Sequence, residues 1–349
     1  MELEQLIALA AELGASDIHL ICGLPPKYRR DGQLESFAGE APLTGAQCEA
    51  YARRLAGESY GQIEQCGELD LARSMAGERI RANLFRQQGQ VSVALRILSD
   101  HIPQIEELGL PPAVLTFPGL NRGIVLVTGE TGSGKSTTLA AILQRINETR
   151  RDHIITLEDP IEYIYPPDQC AINQREIGQD TASYADGLRA ILREDPDVIL
   201  IGEMRDLVTI ETALTAAETG HLVFATLHTN SAADSIDRMV EVFPEGMQRQ
   251  IRMQLSMTLQ AVLSQQLLPR KNGGRVAACE VMVVNSAIRN LIREGKTPQI
   301  ANSLATSADL GSITMDNAII RLYKDKAITA QTARDAARDA DYVKKNTLF

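Results

Sequence analysis

The octet Gly129-Glu-Thr-Gly-Ser-Gly-Lys135-Ser136 constrains the fold more than any other stretch of this chain, because it matches GxxxxGK(S/T) at every fixed position. It follows the β-branched run Ile124-Val-Leu-Val-Thr128 and opens a helical pattern over 136–146, which is the strand, loop and helix context the motif needs. Its chemistry follows from its residue types. Glycines let the backbone close around phosphate oxygens, while successive N–H groups and the positive end of a helix face the anion. The residues expected to hold a nucleoside triphosphate are therefore Gly129, Thr131, Gly132, Ser133, Gly134, Lys135, Ser136 and Thr137. Within that set the Lys135 ammonium would meet the β and γ charges and the Ser136 hydroxyl would reach Mg²⁺.

A strand that feeds such a loop belongs to an α/β sheet, and the surrounding pattern agrees. From Gly123 onward, apolar runs at 124–128, 154–157, 198–201 and 222–227 alternate with helical segments at 136–146, 184–192 and 209–217. That order implies a largely parallel sheet covered by helices. Beyond about residue 230 the pattern reads as mostly helical, with 247–268 as one helix and a strongly charged final segment over 331–345. Residues 1–98 mix an amphipathic helix over 3–13 with strand-like runs at 16–21 and 90–98, so they are expected to form a smaller α/β domain. Pro103, Pro111, Pro112 and Pro118 crowd the stretch between the two. Prolines this dense break helices and central strands, which assigns residues 99–118 to a hinge linker and residues 119–349 to the nucleotide domain.

Further carboxylates and histidines fall at strand ends. Asp197-Val-Ile-Leu-Ile-Gly-Glu203 is a buried strand ending in an acid, and doubly wound sheets bind ligands at the carboxyl ends of their strands, so Glu203 is expected to face Mg²⁺ or its water. Gly202 stands where such a motif more often has an aspartate. Ile154-Ile-Thr-Leu-Glu158-Asp-Pro-Ile-Glu162 runs from a strand into a turn, and Glu158 and Glu162 are the candidates to orient or deprotonate an attacking water. His221 and His228 bracket the apolar run 222–227, where a histidine at a strand end can sense a γ-phosphate by hydrogen bonding.

Composition narrows the partners. The net charge of −10 is spread among scattered Lys and Arg, which argues against a nucleic-acid motor. Met1 is followed by Glu2 and Glu4 rather than a basic start, and no apolar run approaches the ~20 residues of a membrane helix, so a cytoplasmic protein without an integral membrane segment is expected. Cys22, Cys48, Cys66, Cys170 and Cys279 lie far apart and form no CxxC pair, so reduced structural thiols are expected.

Taken in order, the phosphate loop, the 158–162 acidic segment, the Glu203 strand and the 221–228 histidine box resemble the secretion and pilus motor ATPase superfamily, over essentially the whole chain. The segment Ala287-Ile-Arg-Asn-Leu-Ile-Arg-Glu-Gly-Lys296 is similar to the signature helix of its type IV pilus retraction ATPases, the PilT family, and the missing CxxC element separates the chain from the assembly and secretion branches. The resemblance implies a RecA-like ATPase domain preceded by a PAS-like domain, a homohexameric ring and ATP hydrolysis with Mg²⁺. It further implies work on an inner-membrane platform protein that retracts the pilus in twitching motility. By the same resemblance Arg81 and Arg96 would approach the triphosphate from the N-terminal domain, a role that suits the planar guanidinium. Extension, type II secretion and accessory retraction motors of the superfamily are the alternatives, with a RecA-like nucleic-acid motor or a non-catalytic nucleotide-binding scaffold further off.

Overall fold

Alternation of buried and exposed side chains builds the N-terminal sheet. The chain is described here from a computed structural model covering residues 1–30, 32–98 and 101–347, and it divides into two units. The smaller comprises Met1–His101 and Pro160–Ile164. Its strands are β1 (Asp17–Leu20), β2 (Lys27–Arg30), β3 (Gln33–Ser36), β4 (Glu68–Met75), β5 (Glu78–Gln87) and β6 (Gln90–Leu98), in the order β3-β2-β1-β6-β5-β4 with every neighbour antiparallel. Ile80, Ala82 and Leu84 of β5 point to the buried face, as period-two alternation requires, and pack with Leu6 and Ile7 of the Leu3–Glu12 helix and Leu55 of the Gly45–Ala56 helix. Thr44 and Gln47 form a reciprocal cap that starts the second of these helices.

In the larger unit the strands are β7 (Gly123–Thr128), β8 (His153–Glu158), β9 (Ala171–Glu176), β10 (Val198–Ile201), β11 (Leu222–Leu227), β12 (Leu259–Pro269) and β13 (Arg275–Val283). They lie in the order β13-β12-β7-β11-β10-β8-β9, parallel throughout except for β13 at one edge. Every residue of β7, β10 and β11 is buried, the signature of a parallel sheet covered on both faces. The fold is thus α/β with an antiparallel N-terminal sheet and a mixed C-terminal one.

One expectation needs correction. The 247–268 segment is not one helix: a helix spans Glu245–Thr258, and β12 begins at Leu259. Leu259, Ala261, Val262 and Leu263 are buried between neighbours β7 and β13, and an apolar run buried on both faces carries no period by which sequence can tell strand from helix. With β13 beside it, the otherwise mostly helical region after residue 230 holds an antiparallel strand pair. Of the expected 99–118 hinge, Ser99 and Asp100 lie outside the described residues. From Ile102 onward the segment belongs to the larger unit, where Val114 and Phe117 of the 3₁₀ helix Pro112–Gly119 are buried. Among the described residues no helix is long and apolar enough to cross a membrane.

Candidate functional site

The phosphate loop is shaped by close backbone packing. Residues 129–134 join β7 to the helix Lys135–Thr149. Gly129 has φ 141°, and a Cβ there would lie 2.3 Å from the Gln265 carbonyl oxygen and 2.6 Å from Ser133 Oγ, so no side chain is tolerated at the turn. Lys135 Nζ donates to the carbonyl oxygens of Gly129 (2.7 Å) and Glu130 (2.9 Å), which keeps its ammonium on the loop. The Ser133 hydroxyl is buried without a hydrogen-bond partner among the described residues. Glu130, Thr131, Gly132 and Ser133 line a cavity of about 380 Å³ together with Gln265, Leu267 and Arg338. Ser136 and Thr137 occupy the first turn of that helix. A cradle that admits only glycine, an orphaned hydroxyl and a helix start fit a phosphate group.

Beside the loop, adjacent parallel strands each bring one side chain to the same edge of the sheet. In the spatial order β7-β11-β10-β8, the loop follows β7, His228 follows β11, Glu203 lies just past β10, and Glu158 ends β8. His228 Nε2 is 3.1 Å from Glu203 Oε1, and Arg205 Nη2 donates to Glu203 Oε2 at 2.6 Å. Burial pushes the Glu203 carboxyl up, but the Arg205 hydrogen bond and the nearby His228 and Arg205 charges outweigh it and hold it below the usual carboxylate range. Glu158 accepts from Thr156 Oγ1 (2.6 Å) and Gln174 Nε2 (3.2 Å). A serine hydroxyl and one carboxylate are the hard oxygen donors that suit a Mg²⁺ carried in on a nucleotide's phosphates.

The glycine at 202 has a steric cause. A Cβ at that position would lie 2.9 Å from Tyr184 Oη and 3.0 Å from the Leu157 carbonyl oxygen, leaving no room for an aspartate. Tyr184 fills the space instead, and burial together with the carboxylates of Asp159, Glu203 and Glu158 pushes its hydroxyl well above the usual phenol range. Tyr184 and Arg205 were not anticipated from sequence; Arg205, two residues past Glu203, was the more visible of the two.

Of the other four expected residues, one lies at the opposite edge of this sheet and three belong to the smaller unit. His221 precedes β11 at the amino edge of the sheet, where its Nδ1 meets the Ala216 carbonyl (2.9 Å) and Thr219 Oγ1 (3.1 Å). It is therefore separated from His228 by the whole strand, about 20 Å at ~3.3 Å per residue. His221 thus lies outside the group that His228 and Glu203 form. Glu162 lies in Pro160–Ile164, a segment that groups with the smaller unit. In that unit Arg81 and Arg96 are direct cross-strand partners on β5 and β6, and Arg96 Nε bonds Asp17 Oδ1 at 3.0 Å.

The 287–296 segment forms the helix Ser286–Glu294, capped by Asn285 and followed by Gly295. Ile288 and Ile292 are fully buried, and Arg289 donates to the carbonyls of Ser256 (2.7 Å) and Met257 (3.1 Å), closing the end of the Glu245–Thr258 helix.

A glycine-rich loop between a buried parallel strand and a helix, flanked by strand-end acids, defines a P-loop nucleotide-binding protein of the α/β class. Known proteins make the assignment narrower. The family model for type II/IV secretion system proteins matches residues 2–319. The chain is 45% identical to the type IV pilus retraction ATPase PilT of Pseudomonas aeruginosa, covering 97% of this chain and 98% of that protein. It is 48% identical to a twitching motility protein of Neisseria gonorrhoeae, covering 75% and 71% of the two chains. A solved structure of the pilus retraction motor PilT with bound ADP superimposes with a TM-score of 0.93 at 46% identity, covering 99% of each chain. The chain belongs to the type II/IV secretion system protein family, among its pilus retraction ATPases.

Proposed function

We infer that this chain is the Mg²⁺-dependent ATPase that drives retraction of a type IV pilus and hence twitching motility. The observation that carries the reading is the row of functional groups at one sheet edge, in a chain similar over nearly its whole length to a retraction ATPase. Loop amides and Lys135 bind the β- and γ-phosphates, Ser136 and Glu203 hold Mg²⁺, the latter through water, and Glu158 and Glu162 are the groups that orient or deprotonate the attacking water. Mg²⁺ neutralises developing charge between the phosphates. His228, tied to Glu203, registers whether a γ-phosphate is present.

The smaller unit is PAS-like in this reading and the larger one RecA-like. Arg81 and Arg96, direct cross-strand partners of which Arg96 already pairs with Asp17, would present their guanidinium groups to the triphosphate, as the family resemblance implies. ATP closes the two units about the 99–118 segment and loss of the γ-phosphate relaxes them, and six copies in a ring turn that motion into work on an inner-membrane platform protein from the cytoplasmic side.

The test is ATPase activity measured with oligomer mass for the native chain, Lys135→Ala and Glu203→Ala. Hydrolysis by a native hexamer is expected, with both variants folded and inactive and Lys135→Ala also weak in nucleotide binding. Failure of the native chain to bind ATP with Mg²⁺ ends the reading. Cells lacking the protein should keep surface pili and lose twitching; loss of the pili themselves would point to an extension motor instead.

A further inference from the structure

Glu280, far from the phosphate loop in sequence, is only 5% exposed, and its two oxygens are fully used. Oε1 accepts from the backbone N–H of Ala232 (2.9 Å), while Oε2 accepts from Arg338 Nη1 (2.6 Å) and the N–H of Met315 (3.4 Å). Arg338 in turn donates through Nη2 to the carbonyl of Asn230. Its own backbone is fixed, since Asp316 accepts from the N–H groups of Arg338 (2.8 Å) and Asp339 (3.0 Å). The pair therefore holds the 228–231 loop at Asn230 and the start of the helix that follows it at Ala232. That loop carries His228, 3.1 Å from Glu203. Asn230 and Arg338 also line the cavity that the phosphate loop lines.

A carboxylate this buried costs free energy unless every lone pair is satisfied, and the groups that satisfy it here belong to the histidine loop and the C-terminal segment. We propose that Glu280 and Arg338 are positioning residues that hold the 228–231 loop so that His228 meets Glu203, making the C-terminal segment part of the hydrolytic site. This rests on the proposed ATPase reading. In this role both act through His228. Arg338 also lines the cavity beside the phosphate loop, so affinity and turnover must be read separately: a role through His228 lowers turnover at unchanged affinity.

The experiment compares Arg338→Met, His228→Ala and the double variant in the full-length protein, reading kcat for ATP and, separately, the Kd of a fluorescent ATP analogue. Arg338→Met keeps the apolar stem; it is expected to lower kcat about tenfold with Kd within about twofold, and to add less than about twofold in the His228→Ala background, the non-additivity of residues acting as one unit. Arg338→Lys should recover part of the loss. Multiplicative effects of the two substitutions, or an equal loss in Kd and kcat, overturn the proposal. Glu280→Gln, which keeps the acceptor for Ala232 and weakens the grip on Arg338, provides the second variant and should fall between native and Arg338→Met. Should the native chain itself hydrolyse no ATP, the ATPase reading fails rather than the brace alone.

Discussion

His221 and His228 stand at opposite ends of the same buried strand, and their surroundings differ in every respect that matters for chemistry. His221 faces the exposed C-terminal end of a helix, and its ring nitrogen is engaged by a backbone carbonyl and Thr219. His228 lies at the carboxyl edge, on a loop held by an ion pair, with its Nε2 on an ionised glutamate that Arg205 also grips. The contrast teaches that in a parallel sheet the end of a strand decides the role of a side chain. At the carboxyl edge successive parallel strands all aim their terminal residues at one ligand, whereas at the amino edge the same residue type serves only to close a turn.

The largest effect that would break the comparison is at Glu203. Glu203→Gln keeps the shape of the carboxyl and removes its charge, and turnover should fall by about 10²-fold or more while the fold survives, as measured by steady-state hydrolysis and thermal unfolding. His228→Ala should come next, with kcat lower by about tenfold to 10²-fold and nucleotide affinity little changed. Gly202→Ala should be felt mainly in stability. Its new methyl meets the Leu157 carbonyl at 3.0 Å and the buried Tyr184 hydroxyl at 2.9 Å, and a loss of about 1–3 kcal/mol in denaturant unfolding is expected.

Much of this edge was legible in the chain because its parts are contiguous. The loop octet, the Glu203 strand and the Glu158 strand are each short runs whose residue types and order specify strand, turn and helix locally. What escaped was non-local. β9 is a partly exposed edge strand with no apolar alternation to announce it, and β12 is an apolar run buried on both faces. Gly202 was visible as a departure from the usual motif, yet its cause lies in Tyr184 and Leu157, which only the fold brings beside it. Glu280 and Arg338 are 58 positions apart and meet around a loop that neither adjoins. The two histidines looked alike because the sequence shows that a residue bounds a strand, and the direction of that strand in a sheet of several must be built before the end that faces the ligand is known.

A smaller effect concerns pH. The Glu203 carboxyl is held below its ordinary range, so it contributes stability above the ordinary carboxylate pKa that is lost as pH falls through the depressed one, and it remains ionised further into acid than a free glutamate. Arg205→Leu removes the main source of that depression while leaving burial, which pushes the other way. The acid limb of kcat against pH should therefore move to higher pH in the variant, with native and variant converging near neutrality; an unmoved limb would show that Glu203 does not set it.

The smallest effect belongs to the other end of the strand and sharpens the comparison most. His221→Ala removes the hydrogen bonding of its Nδ1 to the Ala216 carbonyl and Thr219, so the cost should be about 1 kcal/mol of stability, the usual net worth of one such bond. Because β11 separates it from the Glu203 cluster by its full length, kcat should stay within about twofold of native once unfolding is corrected for. A fall in kcat comparable to that of His228→Ala, at unchanged stability, would mean that the amino edge of one subunit faces a nucleotide held by another, and the division of the sheet into a chemical edge and a structural edge would have to be redrawn around the assembly.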